Sequence, residues 1–197
     1  MGHNVRYTLI GIGMILAVVG GYHRLQSQRS GEPLDRSKEG WPILIGLRLA
    51  GLLTLGSTVA WLWNPEWFTA VALETPEPVR WIGVAVFACG IALMCWMFRA
   101  LGPNLTDTVV TRRDAKFVDA GPYRYVRNPM YTGVLIIGLG LGLALGTWLI
   151  PLCATATFVT MVFRTHIEER YLIERFGEQY RCYMSAVGRF FPKLRQH

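Results

Sequence analysis

The charged and aromatic residues of this sequence that could act together in chemistry flank one long apolar segment. Tyr123, Asn128 and Tyr131 lie at its beginning, and Arg164 and Glu168 follow its end. An arginine holds a carboxylate or phosphate through two parallel hydrogen bonds, a glutamate pairs with an ammonium group, and aromatic rings attract a cation. These residue types suit a cleft that binds charged groups of both signs.

The apolar segment itself predicts how the two groups meet. No formal charge occurs from Pro129 to Phe163, which is too long for one helix across about 30 Å of hydrocarbon. The tripeptide Gly146-Thr147-Trp148 near its middle predicts a tight hairpin of two short helices. Because a short hairpin brings its ends to one face, the flanking polar residues are predicted to line a single cleft.

A plainer interpretation of the same residues stays open. Arg164 and Glu168 are one helical turn apart, and a solvated pair at that spacing contributes only a few tenths of a kcal/mol. The tyrosines are equally compatible with an aromatic anchor at the lipid headgroups. Pro122 and Pro129 hold the backbone irregular beside the membrane, however, and irregular backbone there needs protein or a polar cavity to satisfy its amides.

Composition places the chain in a membrane. Its 197 residues are 52% hydrophobic and 17% charged, whereas soluble domains carry about 25% charged residues. The net charge of +7 comes from cations beside apolar segments, which favours anionic lipid headgroups over nucleic acid as a partner. The four cysteines lack the spacing of a disulfide framework or a metal site, so no metal is expected.

Hydropathy predicts an all-α integral membrane protein with about five transmembrane helices. Three spans are predicted at residues 7–22, 41–63 and 79–98, and the hairpin at 129–163 supplies two more. The sequence therefore divides into an N-terminal part, 1–98, with three spans, and a core, 99–197. That core contains a cytosolic loop, the hairpin and cytosolic C-terminal helices, which form the expected cofactor-binding region.

The distribution of basic residues predicts the orientation. With five spans, residues 26–40, 99–128 and 164–197 fall on one side of the membrane and contain nearly all the lysines and arginines. Basic loops face the cytosol in most membrane proteins. The C-terminus is therefore predicted to be cytosolic and the N-terminus non-cytosolic.

Several motifs in fixed order resemble one known family, the isoprenylcysteine carboxyl methyltransferases, together with the related membrane phospholipid methyltransferases. The resemblance covers roughly residues 99–192. The motifs are Leu101-Gly102-Pro103-Asn104, Gly121-Pro122-Tyr123, Arg127-Asn128-Pro129-Met130-Tyr131, Glu168-Glu169 and Phe176-Gly177-Glu178-Gln179-Tyr180.

The resemblance implies S-adenosylmethionine as cofactor and assigns roles to individual residues. It implies that Arg164 faces the methyl acceptor as the catalytic and substrate-binding residue. Contacts with the cofactor are implied for Lys116, Phe117, Val118, Tyr123, Pro129, Tyr131 and Glu168. At the position of Asn128 the family usually has histidine. An amide donates and accepts hydrogen bonds, so a cofactor-positioning role stays open for Asn128. A role that requires a protonatable imidazole cannot be carried over to it.

The implied activity is methyl transfer to a lipophilic or lipid-linked acceptor in the membrane. Such a displacement removes the positive charge of a sulfonium, so a dry site that holds both reactants suits it and no covalent nucleophile is needed. Arg164 favours the carboxylate of an isoprenylcysteine-like acceptor. A phospholipid amine, which needs a general base, and a small thiol remain alternatives.

A protein of another class, a non-catalytic transporter or subunit, is also considered. Apart from Arg80 at the start of the third, the third to fifth predicted spans carry no charge, and the sequence has no evident inverted repeat. Both observations disfavour transport, because carriers usually place charged residues and repeated units around a central site.

Overall fold

The computed structural model describes residues 3–29, 41–102 and 117–193, and these ranges are almost entirely helical. Short 3₁₀ segments occur at Pro65–Val71 and Gly121–Arg124. In the described ranges, β pairing is limited to two isolated bridges. The helices are α1 (His3–Arg29), α2 (Trp41–Trp63), α3 (Glu77–Leu101), α4 (Pro129–Leu145), α5 (Leu149–Phe176) and α6 (Glu178–Ala186).

The lengths and compositions of the helices confirm the predicted all-α, multi-pass membrane fold. Four of them, α1, α2, α3 and α5, are long and apolar enough to cross a bilayer. Helix α4 is a shorter apolar helix of 17 residues, which at 1.5 Å per residue is about 26 Å long. Helix α5 has 28 residues, about 42 Å at 1.5 Å per residue, so it is longer than the roughly 30 Å thickness of the hydrocarbon.

The predicted boundaries agree best where the sequence changes character sharply. Helix α2 begins and ends at the predicted residues, and the hairpin turns at Gly146, which has the left-handed conformation (φ 67°) that favours glycine. Helix α1 extends beyond the predicted 7–22 at both ends. Its polar flanks continue the helix, and hydropathy marks only the apolar part.

Contacts between connections define the two ends of the bundle. At one end the α2–α3 loop meets the hairpin turn, where the Leu73 amide donates to the Gly146 carbonyl at 2.8 Å. At the other end Val126, before α4, forms a bridge with Gly188, after α6. Two of the segments predicted to share one side of the membrane, 99–128 and 164–197, therefore meet at this end, whereas most of the third, 26–40, lies outside the described residues.

The core lies nearer the hairpin turn, and glycines bring α4 close to both of its neighbours. A β-carbon on Gly140 would lie 2.4 Å from the Phe87 amide nitrogen of α3. One on Gly138 would lie 2.0 Å from the Ala154 β-carbon of α5. Such close approach supplies the van der Waals contact that holds helices together in lipid. The buried core residues are Val5, Leu9, Trp61, Val84, Phe87, Ile91, Leu141, Ala144, Leu145 and Ile150.

Adding one methyl group at this contact is expected to destabilise the bundle. In Gly140→Ala the new carbon meets backbone of α3, which cannot move aside as a side chain can, and overpacking of this kind costs about 1–3 kcal/mol. Thermal unfolding in detergent measures the effect. Gly51→Ala in α2 is the matched control, because nothing lies within 4 Å of its new carbon. Equal melting temperatures for the two variants would contradict the close α3–α4 packing.

Candidate functional site

Three of the predicted site residues come together where the open end of the α4–α5 hairpin leaves the apolar region. The Arg164 Nε lies 3.2 Å from Glu168 Oε1. The Tyr131 hydroxyl donates a hydrogen bond to Glu168 Oε2 at 2.5 Å. Glu168 therefore connects an arginine on its own helix with a tyrosine in the first turn of α4.

This ion pair is buried, so the solvated pair considered above is wrong. The Arg164 side chain is 9% exposed and that of Glu168 is 18% exposed. Tyr131 is almost completely buried. Removing two charges from water costs free energy that can exceed the attraction between them. A buried ion pair is therefore poor evidence for stability. Its place at the mouth of the hairpin fits a binding role instead.

Tyr123 lies beside the same carboxylate, in the 3₁₀ turn before α4. Its backbone carbonyl accepts a hydrogen bond from the Tyr183 hydroxyl of α6 at 2.6 Å. Burial, followed by the proximity of Tyr183 and Glu168, raises the pKa of Tyr123 above its ordinary value. The phenol therefore remains protonated and able to donate a hydrogen bond at any physiological pH.

Phe117 belongs to a ring cluster at the α5–α6 junction, close to Tyr123. Val118 is half-buried next to it, and Lys116 lies outside the described residues. The rings that Phe117 meets edge-on are those of Phe176, Tyr180 and Tyr183, with centroids 5.4, 6.2 and 5.2 Å away. The cluster therefore packs Phe117 against the end of α5 and against α6.

Asn128 and Pro129 begin α4, and Pro129 is fully buried in its first turn. The Asn128 side-chain amide donates to the Arg189 carbonyl at 3.2 Å, and its backbone amide donates to the same oxygen at 3.0 Å. An amide supplies this hydrogen bond without any titratable group. In this structure the side chain of Asn128 therefore holds the C-terminal segment, a contact that the sequence did not predict.

A buried ionic cluster that sequence reasoning missed lies behind the site. Glu169, 4% exposed, accepts hydrogen bonds from Arg127 Nη2 at 2.9 Å and Arg189 Nη2 at 2.6 Å. Arg127 Nη1 also donates to the carbonyls of Met184 and Val187 at 2.9 and 2.6 Å. One carboxylate thus joins α5 to the segment before α4 and to the chain after α6.

The chain after α6, residues Val187–Lys193, forms what we call the C-terminal strap. It runs beside the first turn of α4, where the Thr132 hydroxyl donates to the Phe190 carbonyl at 2.7 Å. The Phe190 ring stacks on Tyr131 with centroids 6.2 Å apart and meets Phe158 of α5 edge-on at 5.3 Å. The contacts of this strap with the start of α4 join residues about 60 apart in sequence, so no local pattern reveals them. The sequence offers one signal of the buried cluster, which is the consecutive pair Glu168-Glu169. Neighbouring residues of a helix face different directions, so the two carboxylates must have different partners.

The chain matches the phospholipid methyltransferase family over residues 79–179, about half of its length. The match includes α3 as well as the region that carries the motifs.

Curated relatives agree with this match. The chain is 29% identical to a methanethiol S-methyltransferase of Pseudomonas deceptionensis over 155 residues, which are 70% of this chain and 55% of the relative. It is 29% identical to a protein-S-isoprenylcysteine O-methyltransferase of Schizosaccharomyces pombe over 170 residues, 82% of this chain and 70% of the relative. A protein of the same name from Tribolium castaneum is 32% identical over 59% of this chain and 43% of the relative.

A solved structure has the same fold. It is that of the eukaryotic intramembrane Ras methyltransferase, the isoprenylcysteine carboxyl methyltransferase, with a TM-score of 0.58 and 26% identity. The similarity covers 74% of this chain and 51% of that protein, so the present chain spans about half its length. The chain belongs to the phospholipid methyltransferase family, within which it resembles the isoprenylcysteine carboxyl methyltransferases.

Proposed function

We propose that this protein is an S-adenosylmethionine-dependent methyltransferase of a membrane, acting on a lipophilic acceptor at the open end of the α4–α5 hairpin. The single observation that carries the proposal is the buried cluster of Arg164, Glu168 and Tyr131. A structural role alone does not explain it, because a buried pair contributes little to stability. In this proposal residues 99–197 form the methyltransferase core.

The chemical groups of the cluster fit the cofactor. S-adenosylmethionine carries an ammonium group, a carboxylate and a sulfonium, and when bound it supplies an activated methyl group. A carboxylate such as that of Glu168 accepts hydrogen bonds from an ammonium group. The rings of Tyr123 and Tyr131 can attract a positive sulfonium. Phe117 and Val118 offer apolar surface for the rest of the cofactor.

Besides binding the cofactor, the residues of the site hold the reactants in place and exclude water. The buried phenol of Tyr131 and the protonated phenol of Tyr123 give fixed dipoles in place of mobile water. The guanidinium of Arg164 is a planar fork that matches a carboxylate. Because charge disappears as the methyl group moves, a dry and ordered site is more useful than a solvating one.

We infer that the acceptor carries a carboxylate, as an isoprenylated cysteine does. Arg164 is the group on which this preference rests, and two of the relatives carry names with that substrate. A small thiol is the second candidate, because one relative is named a methanethiol S-methyltransferase. A phospholipid amine would need a general base, and the Glu168 carboxylate already pairs with Arg164.

The chemistry of the product separates these acceptors. Purified protein is incubated with methyl-labelled S-adenosylmethionine and, separately, an S-prenylated cysteine with a blocked amine, a phospholipid amine and a short alkanethiol. A carboxyl methyl ester releases its label as methanol in base, whereas methylated amines and thioethers keep it. We expect base-labile label from the first acceptor. Base-stable label from either of the others would replace the carboxylate assignment.

We also infer that the site faces the cytosol, with the C-terminus there and the N-terminus on the opposite side. The loop at Glu74 and the exposed Cys182 of α6 lie at opposite ends of the bundle. In a variant whose only cysteine is Cys182, a membrane-impermeant thiol reagent should react from the cytosolic side of a sealed vesicle. In a cysteine-free variant carrying Glu74→Cys it should react from the other side. Labelling of both positions from one side would contradict this topology.

A further inference from the structure

Helix α5 contacts both Tyr131 of the proposed site and the C-terminal strap. Glu168 and Glu169 are consecutive in α5, about 100° apart around the helix axis. Glu168 receives the Tyr131 hydroxyl, while Glu169 receives the two guanidiniums that hold the C-terminal strap. The strap then returns to Tyr131 through the ring of Phe190.

We propose that the C-terminal strap positions Tyr131 for cofactor binding, with Glu169 as its anchor and Phe190 as the residue that contacts the tyrosine. The inference rests on the proposed function, since it assigns a purpose to the Tyr131–Glu168 hydrogen bond. Glu169 and Phe190 are positioning residues, because they act through Tyr131.

Several hydrogen bonds hold Glu169 and the groups around it. Glu169 meets both guanidiniums with short hydrogen bonds, and Arg127 reaches two further carbonyls at the end of α6. The ammonium of Lys193 donates to the Met184 carbonyl at 3.3 Å and also to that of Ser185. If the carboxylate were lost, the buried guanidinium of Arg127 and the partly exposed one of Arg189 would face each other without an anion, so the strap depends on it.

Thr132, the residue after Tyr131, fixes the position of the strap along α4. The Thr132 hydroxyl binds the Phe190 carbonyl at 2.7 Å, which places the Phe190 ring over the tyrosine. Phe158 supports that ring from α5. A tyrosine ring has two χ angles, and packing on its face limits both. The hydroxyl is therefore already directed at Glu168, so cofactor binding does not cost the conformational entropy of ordering this side chain.

A double-mutant cycle on cofactor affinity tests this inference. Wild type, Tyr131→Phe, Phe190→Leu and the double variant are titrated with S-adenosylmethionine by calorimetry. Each single substitution is expected to weaken binding about tenfold, since a hydrogen bond to a charged group is lost or misdirected. The double variant should also lose only about tenfold, because Phe190 acts through the hydroxyl that is already absent. Phe191→Leu is the matched control, since that ring is 62% exposed and should leave affinity unchanged.

Other outcomes of the cycle are equally decisive. Losses that multiply to about a hundredfold in the double variant would mean that Phe190 acts independently of Tyr131 and would overturn the inference. So would an unchanged affinity in Phe190→Leu. If Phe190→Leu does not fold, Thr132→Val takes its place, because it releases the Phe190 carbonyl and keeps the shape of the residue. Absence of binding by wild type would overturn the proposed function as well, whereas the first two results leave that function standing.

Discussion

Glu168→Gln is expected to weaken S-adenosylmethionine binding about ten- to hundredfold, because hydrogen bonds to charged groups contribute about 1.5–3 kcal/mol. The substitution keeps the shape of the side chain and its ability to accept from the Tyr131 hydroxyl. It removes the negative charge that would pair with the cofactor's ammonium group. Calorimetric titration of the purified protein measures the loss.

Glu178→Gln serves as the control for this titration, since that glutamate is 80% exposed and pairs loosely with Arg181 at 3.8 Å. Its affinity should equal that of wild type. The melting temperature of Glu168→Gln is measured in parallel, because the substitution also leaves the buried Arg164 without its carboxylate. A folded Glu168→Gln protein with wild-type affinity would rule out the assigned role of Glu168.

Arg164→Lys is expected to lower turnover about ten- to hundredfold while changing cofactor affinity only slightly. Lysine keeps the positive charge beside Glu168 but loses the planar fork, and the lost hydrogen bond to an anionic acceptor has the magnitude given for charged groups. Steady-state rates at saturating cofactor, measured over a range of acceptor concentrations, report the effect. A loss that high acceptor concentration cannot restore places the role of Arg164 in the transition state, whereas full recovery indicates ground-state binding.

The corresponding surface pair supplies the control. Arg181 and Glu178 also share one helix, but their side chains are 60% and 80% exposed, so Arg181→Lys should leave turnover unchanged. If Arg164→Lys behaved like Arg181→Lys, Arg164 would be only a partner of Glu168. The preference for a carboxylate acceptor would then have no support from the site.

The sequence was sufficient for the fold and for the residues that meet at the hairpin mouth. Hydropathy placed α2, and the glycine at 146 placed the turn between α4 and α5. The turn forces the two ends of the charge-free segment together, so Tyr131 and Glu168, 37 residues apart, were correctly predicted to lie close to each other. The reason is geometrical, because a helical hairpin leaves little freedom in how its ends pair.

The strap and its anchor were beyond sequence reasoning because nothing local specifies them. Arg127 and Glu169 are 42 residues apart, and Asn128 meets Arg189 across 61 residues. Their pairing depends on how the chain after α6 folds back, which hydropathy does not encode. The same gap left a solvated Arg164–Glu168 pair open as an alternative, since hydropathy does not show that Tyr131 of α4 meets this carboxylate and that the pair is largely buried.

Transfer of label from S-adenosylmethionine into lipid tests the central claim most directly. Membranes containing the wild-type chain, and membranes containing equal amounts of Glu168→Gln, are incubated with methyl-labelled cofactor at a concentration below saturation, and the solvent-extractable lipid is counted. We predict label in the wild-type extract and about tenfold less or lower still with Glu168→Gln, in proportion to its weaker binding. No label with wild type, or equal label with both proteins, would contradict methyl transfer at the cleft that Arg164, Glu168 and Tyr131 form.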